Sequence, residues 1–219
     1  MSARTWLTDL LFPPKCAFCG ALLPLGEHGS CKECEKKLPY FDGTVSGAWF
    51  ETCVAPLRYE GEVRKAVQRF KFEDAPFLAA SFAPYLADAC RYHGLQADCV
   101  SFVPVSAKRR RLRGYDQAQL LARQTARLLG LPCEKLLRKT MDNPAQSGLS
   151  AEARKANVLG GYEILPGAKI AGRRILLIDD VVTTTSTLAE CSRVLLTAGA
   201  EKVLCGAFAR AGQTNEKAV

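Results

Sequence analysis

Apolar residues in the larger, C-terminal part of the chain follow two alternating patterns. Near-continuous apolar segments predict buried strands, and apolar residues at helical spacing predict amphipathic helices between them. The predicted strands cover residues 53–59, 99–105, 174–179 and 203–208, and the predicted helices cover residues 62–70, 77–92, 115–129 and 188–198. This order is typical of an α/β fold with a parallel sheet covered on both faces.

The first part of the chain has no such alternation and contains two Cys-x-x-Cys pairs, formed by Cys16, Cys19, Cys31 and Cys34. Two residues between cysteines let both thiolates face one point, and two such pairs supply the four ligands of a tetrahedral zinc site. Disulfides and redox dithiols are the alternatives, and a reducing cytoplasm and the lack of a thioredoxin-like pattern disfavour them. The spacing therefore predicts structural Zn²⁺.

Residues 38–49, with Pro39, Gly43 and Gly47, are predicted to form a connection between two domains. We expect a zinc module over residues 1–46 and a second domain over residues 47–219. The segment that contains Trp6 and Leu7 is predicted to be a short amphipathic helix that docks on its own domain. No apolar stretch is long enough for a signal peptide core or a membrane span, so a cytoplasmic protein is expected.

Composition changes this picture in one respect. The chain of 219 residues is 48% hydrophobic and 24% charged, which is ordinary for a globular protein. Its formal net charge of +8 favours an anionic partner such as a nucleotide, a nucleic acid or pyrophosphate, although excess charge also serves solubility.

The stretch RILLIDDVVTTTSTL ends a predicted buried strand on Asp179 and Asp180. In parallel sheets, ligands bind beyond the carboxyl ends of the strands, which is where these acids are expected. A cluster of hydroxyl residues follows, namely Thr183, Thr184, Thr185, Ser186 and Thr187. A turn into a helix offers backbone N–H groups to a phosphate, and the acids suit ribose hydroxyls or Mg²⁺. The alternative is a strand end with an aspartate that caps a Thr-rich turn.

A basic segment, AKRRRLRGYDQ, lies between a predicted strand and a predicted helix and is expected to be a loop. Its cations are Lys108, Arg109, Arg110, Arg111 and Arg113. Clustered guanidinium groups suit the oxygens of pyrophosphate or of a nucleic-acid backbone, and Tyr115 is placed to stack on a base. The alternative is a solvated loop with Tyr115 packed at the start of the helix.

Several of these motifs together resemble one known family. LTDLLFPPKCAFCG, CKEC, FVPVSAKRRRLRGYDQAQLLA, TMDNPAQSGLSAEARKANVLGGY and IDDVVTTTSTL are similar to the ComF family of competence proteins. The last of them looks like the phosphoribosyl pyrophosphate (PRPP) motif of type I phosphoribosyltransferases. The resemblance covers nearly the whole chain.

The resemblance implies an N-terminal zinc module, a phosphoribosyltransferase fold and a role in the uptake of transforming DNA. It makes Asp179 and Asp180 the contacts of ribose or Mg²⁺, and residues 183–187 the loop for the 5′-phosphate. It assigns the pyrophosphate-side loop to Val103, Pro104, Val105 and Ser106, and it places Gln146, Arg154 and Asn157 near the pocket.

At Thr185 this sequence departs from the family pattern, which has glycine there. Glycine permits a backbone angle and a close approach that a β-branched residue resists, at about 1–3 kcal/mol if the conformation is kept. Either phosphate binding is weakened, or the loop adapts and offers the Thr185 hydroxyl as a donor.

Two functions from different classes remain. The first is a protein that handles single-stranded DNA together with competence proteins such as a DNA helicase, and that carries a PRPP or nucleotide site. The second is a Mg²⁺-dependent phosphoribosyltransferase with an unidentified acceptor. His28 and His93 are not beside a convincing nucleophile, and GxxxxGK[ST] is absent, so a hydrolase triad and a P-loop motor are not expected.

Overall fold

The structure is a computed structural model that describes residues 13–140 and 160–212 of the chain. Its helices are α1 (Lys32–Glu35), α2 (Gly61–Phe72), α3 (Leu78–Tyr92), α4 (Ala107–Arg113), α5 (Gln117–Leu129) and α6 (Ser186–Thr197). Its strands are β1 (Thr44–Gly47), β2 (Phe50–Val54), β3 (Leu57–Arg58), β4 (Cys99–Phe102), β5 (Leu137–Lys139), β6 (Tyr162–Ile164), β7 (Arg174–Val182) and β8 (Lys202–Arg210).

The main sheet has the strand order β1-β2-β8-β7-β4, and β3 also pairs with β8. The pairs β4–β7, β7–β8, β2–β8 and β3–β8 are parallel, and only the β1–β2 hairpin is antiparallel within this sheet. A separate antiparallel pair is formed by β5 and β6. The carboxyl ends of β4 and β7 therefore lie side by side at one edge of the sheet.

Both faces of the sheet are buried, as the continuous apolar strands require. Along β7, Leu176 and Ile178 belong to the hydrophobic cluster under α2, α3 and α5, whereas Ile175 and Leu177 belong to the cluster under α6. The predicted α/β fold with a parallel sheet covered on both faces is confirmed.

The zinc module packs against the first of these faces. Phe18 is almost fully buried and makes ring contacts with Phe82 and Tyr85 of α3. Arg69 of α2 donates Nη2 hydrogen bonds to the carbonyl oxygens of Ala17 and Phe18, at 2.6 and 2.8 Å. The module shares its apolar core with the larger part of the protein.

Three elements differ from the predictions. The strand predicted over residues 53–59 is interrupted at Pro56, which has no N–H group for a ladder. The segment 38–49, predicted as a connection, contains β1, so the sheet begins at Thr44. The basic segment predicted as a loop is the helix α4, which starts after the N-cap Ser106 and ends at Gly114 with φ +77°.

Two other expectations concern the ends and boundaries of the chain. The division into residues 1–46 and 47–219 stays a prediction, and β1 spans that position. The segment with Trp6 and Leu7 lies outside the described residues. Among residues 13–140 and 160–212, no helix has the length and apolar character to cross a membrane.

Candidate functional site

A cavity of about 250 Å³ opens at the carboxyl ends of β4 and β7. Asp179 and Asp180 line it, as do Thr183, Thr184 and Thr187 from the turn that follows β7. Four cations also line it, namely Lys71, Arg109, Arg113 and Lys139. The cavity thus combines an acid pair, hydroxyl groups and a cationic wall.

The two acids lie near the carboxyl end of β7, just after Ile178, the last residue of β7 that pairs with β4. The backbone N–H group of Asp180 donates to Oδ1 of Asp179 at 2.8 Å, which fixes the Asp179 carboxylate. Burial and then the charge of Asp180 raise the pKa of Asp179 to about 7, and the charge of Lys71 opposes this shift. Asp179 therefore holds a proton part of the time near neutral pH.

Lys71 comes from the last turn of α2 and reaches the acid pair across the cavity. Its Nζ lies 2.8 Å from Oδ1 of Asp180, and the two side chains are 20% and 15% exposed. Burial would lower the pKa of Lys71, but the charge of Asp180, its hydrogen bond and the charge of Asp179 raise it overall. Lys71 is a fixed cation at the acid pair, and no signal in the sequence marks it.

Arg109 and Arg113 lie one helical turn apart on α4 and face the cavity. The Nη1 group of Arg113 donates to Oε1 of Gln117 at 3.0 Å. Burial lowers the pKa of Arg113, and the charge of Asp180 partly offsets this effect. On the other side of the cavity, Lys139 of β5 lies over the ring of Tyr162, with Nζ 5.2 Å from the ring centroid.

The hydroxyl turn between β7 and α6 does not have the geometry expected at Thr185. This residue precedes α6 with φ −70° and ψ 0°, a conformation open to any residue. A threonine at this position therefore causes no backbone strain. Among the described residues, Thr185 and Ser186 belong to this turn but do not line the cavity.

The loop after β4 forms another wall through Val103, Pro104 and Val105. Asp116, which is buried, accepts hydrogen bonds from the N–H groups of Val105 and Gln119, at 3.0 and 3.1 Å. It thereby joins the loop to the start of α5. Burial raises the pKa of Asp116, and the two backbone donors oppose this shift.

The remaining predicted site residues do not line the cavity or lie outside the described residues. Lys108, Arg110 and Arg111 are exposed and do not line this cavity. Ser106 is buried, and its hydroxyl accepts from the N–H group of Arg109 at 3.3 Å. Gln146, Arg154 and Asn157 lie outside the described residues.

The hydroxyl group of Tyr115 both donates and accepts a hydrogen bond. The group donates to the carbonyl oxygen of Phe70 at 2.7 Å and accepts from the N–H group of Ala75 at 3.1 Å. The ring packs against Phe70 with centroids 6.0 Å apart. Tyr115 thus fixes the segment after α2, and stacking of a base on its ring stays a prediction.

The four cysteines predicted to bind zinc come together in the N-terminal module. The Sγ atoms of Cys16, Cys19, Cys31 and Cys34 all lie within 4.8 Å of one another. The N–H group of Cys31 donates to Sγ of Cys16 at 3.3 Å, and that of Cys34 donates to Sγ of Cys31 at 3.4 Å. Four thiolates around one point form a closed, structural zinc site.

Comparisons with known proteins find two family models that match different parts of the chain. Residues 116–218 match the phosphoribosyl transferase domain family, and residues 7–59 match the double zinc ribbon domain family. Together with the parallel sheet and the cysteine cluster, these matches give a type I phosphoribosyltransferase fold with an N-terminal zinc ribbon.

Relatives are similar over almost the full length. Competence protein F of Haemophilus influenzae is 31% identical over 222 residues, which cover 90% of this chain and 97% of that protein. DNA utilization protein YhgH of Escherichia coli (strain K12) is 30% identical over 208 residues, which cover 92% of this chain and 85% of that protein. Glutamine PRPP amidotransferase from B. subtilis, a solved structure, is 20% identical with a TM-score of 0.44 and covers 64% of this chain and 30% of that chain.

Proposed function

We propose that this chain, which belongs to the ComF family of competence proteins, binds PRPP with Mg²⁺ in the cavity at the edge of the sheet. We also propose that it handles single-stranded DNA in the cytoplasm during DNA uptake, with other competence proteins such as a helicase as its partners. The observation that carries the first proposal is one cavity lined by an acid pair, three threonines and four cations.

The parts of PRPP correspond to different walls of this cavity. Thr183, Thr184 and Thr187 lie where β7 turns into α6, so hydroxyls and backbone N–H groups suit the 5′-phosphate. The carboxylates of Asp179 and Asp180 suit the ribose hydroxyls. The cationic wall suits the pyrophosphate, whose charge needs compensation in a partly buried site.

Mg²⁺ fits the same donor set. It prefers carboxylate oxygens together with the phosphates of a substrate, and the acid pair offers such oxygens beside a cationic wall. One oxygen of Asp180 already contacts Lys71, so the Asp179 carboxyl and the second oxygen of Asp180 are the protein ligands available. When bound, Mg²⁺ would neutralise the charge of the pyrophosphate.

The role in DNA handling is supported by the outward side of α4 and by the relatives. Lys108, Arg110 and Arg111 are exposed beside the cavity, where they form a basic surface suited to backbone phosphates. The relatives named above are a competence protein and a DNA utilization protein. A single strand would therefore pass over α4, next to the PRPP site.

Phosphoribosyl transfer is the second candidate function, because the cavity holds acids and cations together. In this reaction the bond between C1 of ribose and the pyrophosphate oxygen breaks, and a bond from C1 to an acceptor nitrogen forms. The acceptor loses its proton to water. The carboxylates would stabilise positive charge on the ribose, and the cations would stabilise the leaving pyrophosphate. Release of pyrophosphate with a panel of nucleobases tests this function.

Calorimetry with PRPP and Mg²⁺ tests the ligand site. We expect binding by the wild type and a loss of at least about tenfold in Asp179→Asn/Asp180→Asn, which removes the charges but keeps the side-chain volumes. Glu62→Gln is the control, because Glu62 is exposed on α2, forms an ion pair with Lys65 and does not line the cavity. If the wild type does not bind PRPP, or the double variant binds it equally well, the proposal is wrong.

Calorimetry with a single-stranded oligonucleotide tests the proposed handling of single-stranded DNA. We expect Arg110→Gln/Arg111→Gln to weaken DNA binding and to flatten its dependence on salt by about 1.4 in log–log slope, for two lost phosphate contacts. Arg109→Gln is expected to weaken the binding of both DNA and PRPP, because Arg109 lies on α4 and also lines the cavity. An unchanged salt slope in the double variant would exclude α4 from phosphate contact.

A further inference from the structure

A second cavity of about 570 Å³ adjoins the proposed PRPP site. The two cavities share Lys71, Arg109 and Arg113, which stand between them. The second cavity is also lined by Phe72, Asp74, Leu112, Gly114 and Tyr115. Its volume lies within the range of small-molecule sites, which is about 300–1,000 Å³.

Two large apolar side chains are exposed in this cavity. Phe72, the last residue of α2, is 69% exposed, and Leu112 of α4 is 77% exposed. The guanidinium carbon of Arg113 lies 4.9 Å from the centroid of the Phe72 ring, so the aromatic ring stands beside a cation. Exposed apolar side chains grouped in a cationic cavity are typical of a surface that binds a ligand.

The floor of the cavity is held in place by contacts that the PRPP site does not use. Asp74 has φ +48°, and it is the one residue other than glycine with a positive φ among residues 13–140 and 160–212. The next residue, Ala75, donates its N–H group to the Tyr115 hydroxyl at 3.1 Å. The carboxylate of Asp74 is exposed at the wall, where it can accept hydrogen bonds from amino groups.

We propose that this cavity binds the heteroaromatic base of a nucleotide, with the base against Phe72 and Leu112 and its phosphate beside Arg109 and Arg113. Every base has a face that stacks on an aromatic ring, and adjacent guanidinium groups bind its phosphate. Asp74 favours bases that carry an amino group, such as adenine. The choice of ligand rests on the proposed role in DNA handling, whereas Phe72, Leu112 and Asp74 do not line the PRPP cavity.

The base can belong to a single strand or to a free nucleotide, and calorimetry separates these sources. The probes are a deoxyadenylate 12-mer and deoxyadenosine 5′-monophosphate. We expect Phe72→Leu, which keeps an apolar side chain but removes the ring, to weaken binding of the probe about tenfold. Tyr92→Leu is the matched control, because Tyr92 is an aromatic residue 79% exposed at the end of α3 and lines neither cavity.

Phe72→Trp provides a second measurement, since stacking of a base on the new ring is expected to quench its fluorescence relative to the wild-type background. Binding of the 12-mer alone identifies a strand as the source, and equal binding of the monophosphate identifies a free nucleotide. If neither probe binds the wild type, or if Phe72→Leu binds both as the wild type does, the inference is wrong.

PRPP binding measured in the same variants keeps this inference separate from the proposed ligand site. We expect Phe72→Leu to bind PRPP as the wild type does. If the wild type binds PRPP but nucleotide binding does not depend on Phe72, only the base site is refuted. If nucleotide binding depends on Phe72 but PRPP does not bind, only the PRPP site is refuted.

Discussion

Asp179→Asn is expected to change how the stability of the ligand-free protein depends on pH. The pKa of Asp179 is raised to about 7 by burial and by the charge of Asp180. A carboxyl group with a raised pKa stabilises the folded state while it is protonated, and this stabilisation is lost as the pH rises through the folded pKa. Asparagine has no such titration, and its Oδ1 can accept the hydrogen bond that Asp180 N–H gives to Asp179.

The size of the effect follows from the raised pKa. Between pH 6 and pH 8.5, a group with a folded pKa near 7 and an unfolded pKa near 4 loses about 1.4 kcal/mol of stabilisation. The free energy of unfolding of the wild type, minus that of Asp179→Asn, should therefore fall by about 1.4 kcal/mol over this interval. Contributions from groups that behave alike in the two proteins cancel in the difference.

Urea denaturation of both proteins at pH 6 and pH 8.5, followed by circular dichroism with zinc present, measures this difference. Relative to the wild type, Asp179→Asn should resist urea better at pH 8.5 than at pH 6. The variant should nevertheless bind PRPP more weakly. If the difference in unfolding free energy between the two proteins is the same at both pH values, the pKa of Asp179 is not raised and the reasoning is refuted.

Three further outcomes are expected. Changing Cys16 and Cys34 to serine should remove the zinc, about one ion per chain, and elemental analysis that finds zinc retained would contradict the cluster. Lys71→Met should lower the free energy of unfolding by about 2 kcal/mol, a cost between those of breaking an exposed and a buried ion pair. The control is Lys65→Met, which breaks an exposed ion pair of α2, and an equal effect of the two changes would refute the prediction. Thr185→Gly should leave PRPP affinity within about twofold, since φ is −70°, and tighter binding by calorimetry would reveal strain.

The sequence alone determined those features that depend on neighbours along the chain. The Cys-x-x-Cys spacing predicted the zinc cluster, because each pair brings two thiolates to one point without help from the rest of the fold. In β7, a continuous apolar run predicted a strand buried on both faces, and Asp179 and Asp180 at its end predicted the site.

Tertiary structure decided which cations line the cavity. Lys71 and Lys139 belong to α2 and β5, and nothing in their local sequence distinguishes them from surface lysines. The basic segment was visible as charge, but its division into Arg109 and Arg113 at the cavity and Lys108, Arg110 and Arg111 in solvent depends on its being a helix. Residues four apart on a helix lie on one face, whereas the side chains of a loop follow no such regular spacing.

The backbone at Thr185 was also decided by the folded chain. Comparison with a family pattern predicts strain only if the loop needs a backbone angle that glycine alone adopts easily, and Thr185 has a φ of −70°, which any residue can adopt. The second cavity has the same origin, since Phe72 ends α2 and Leu112 lies on α4. Helix ends that are distant in sequence meet only after both helices pack beside the sheet, so no pattern along the chain could place the Phe72 ring next to Arg113 and Leu112.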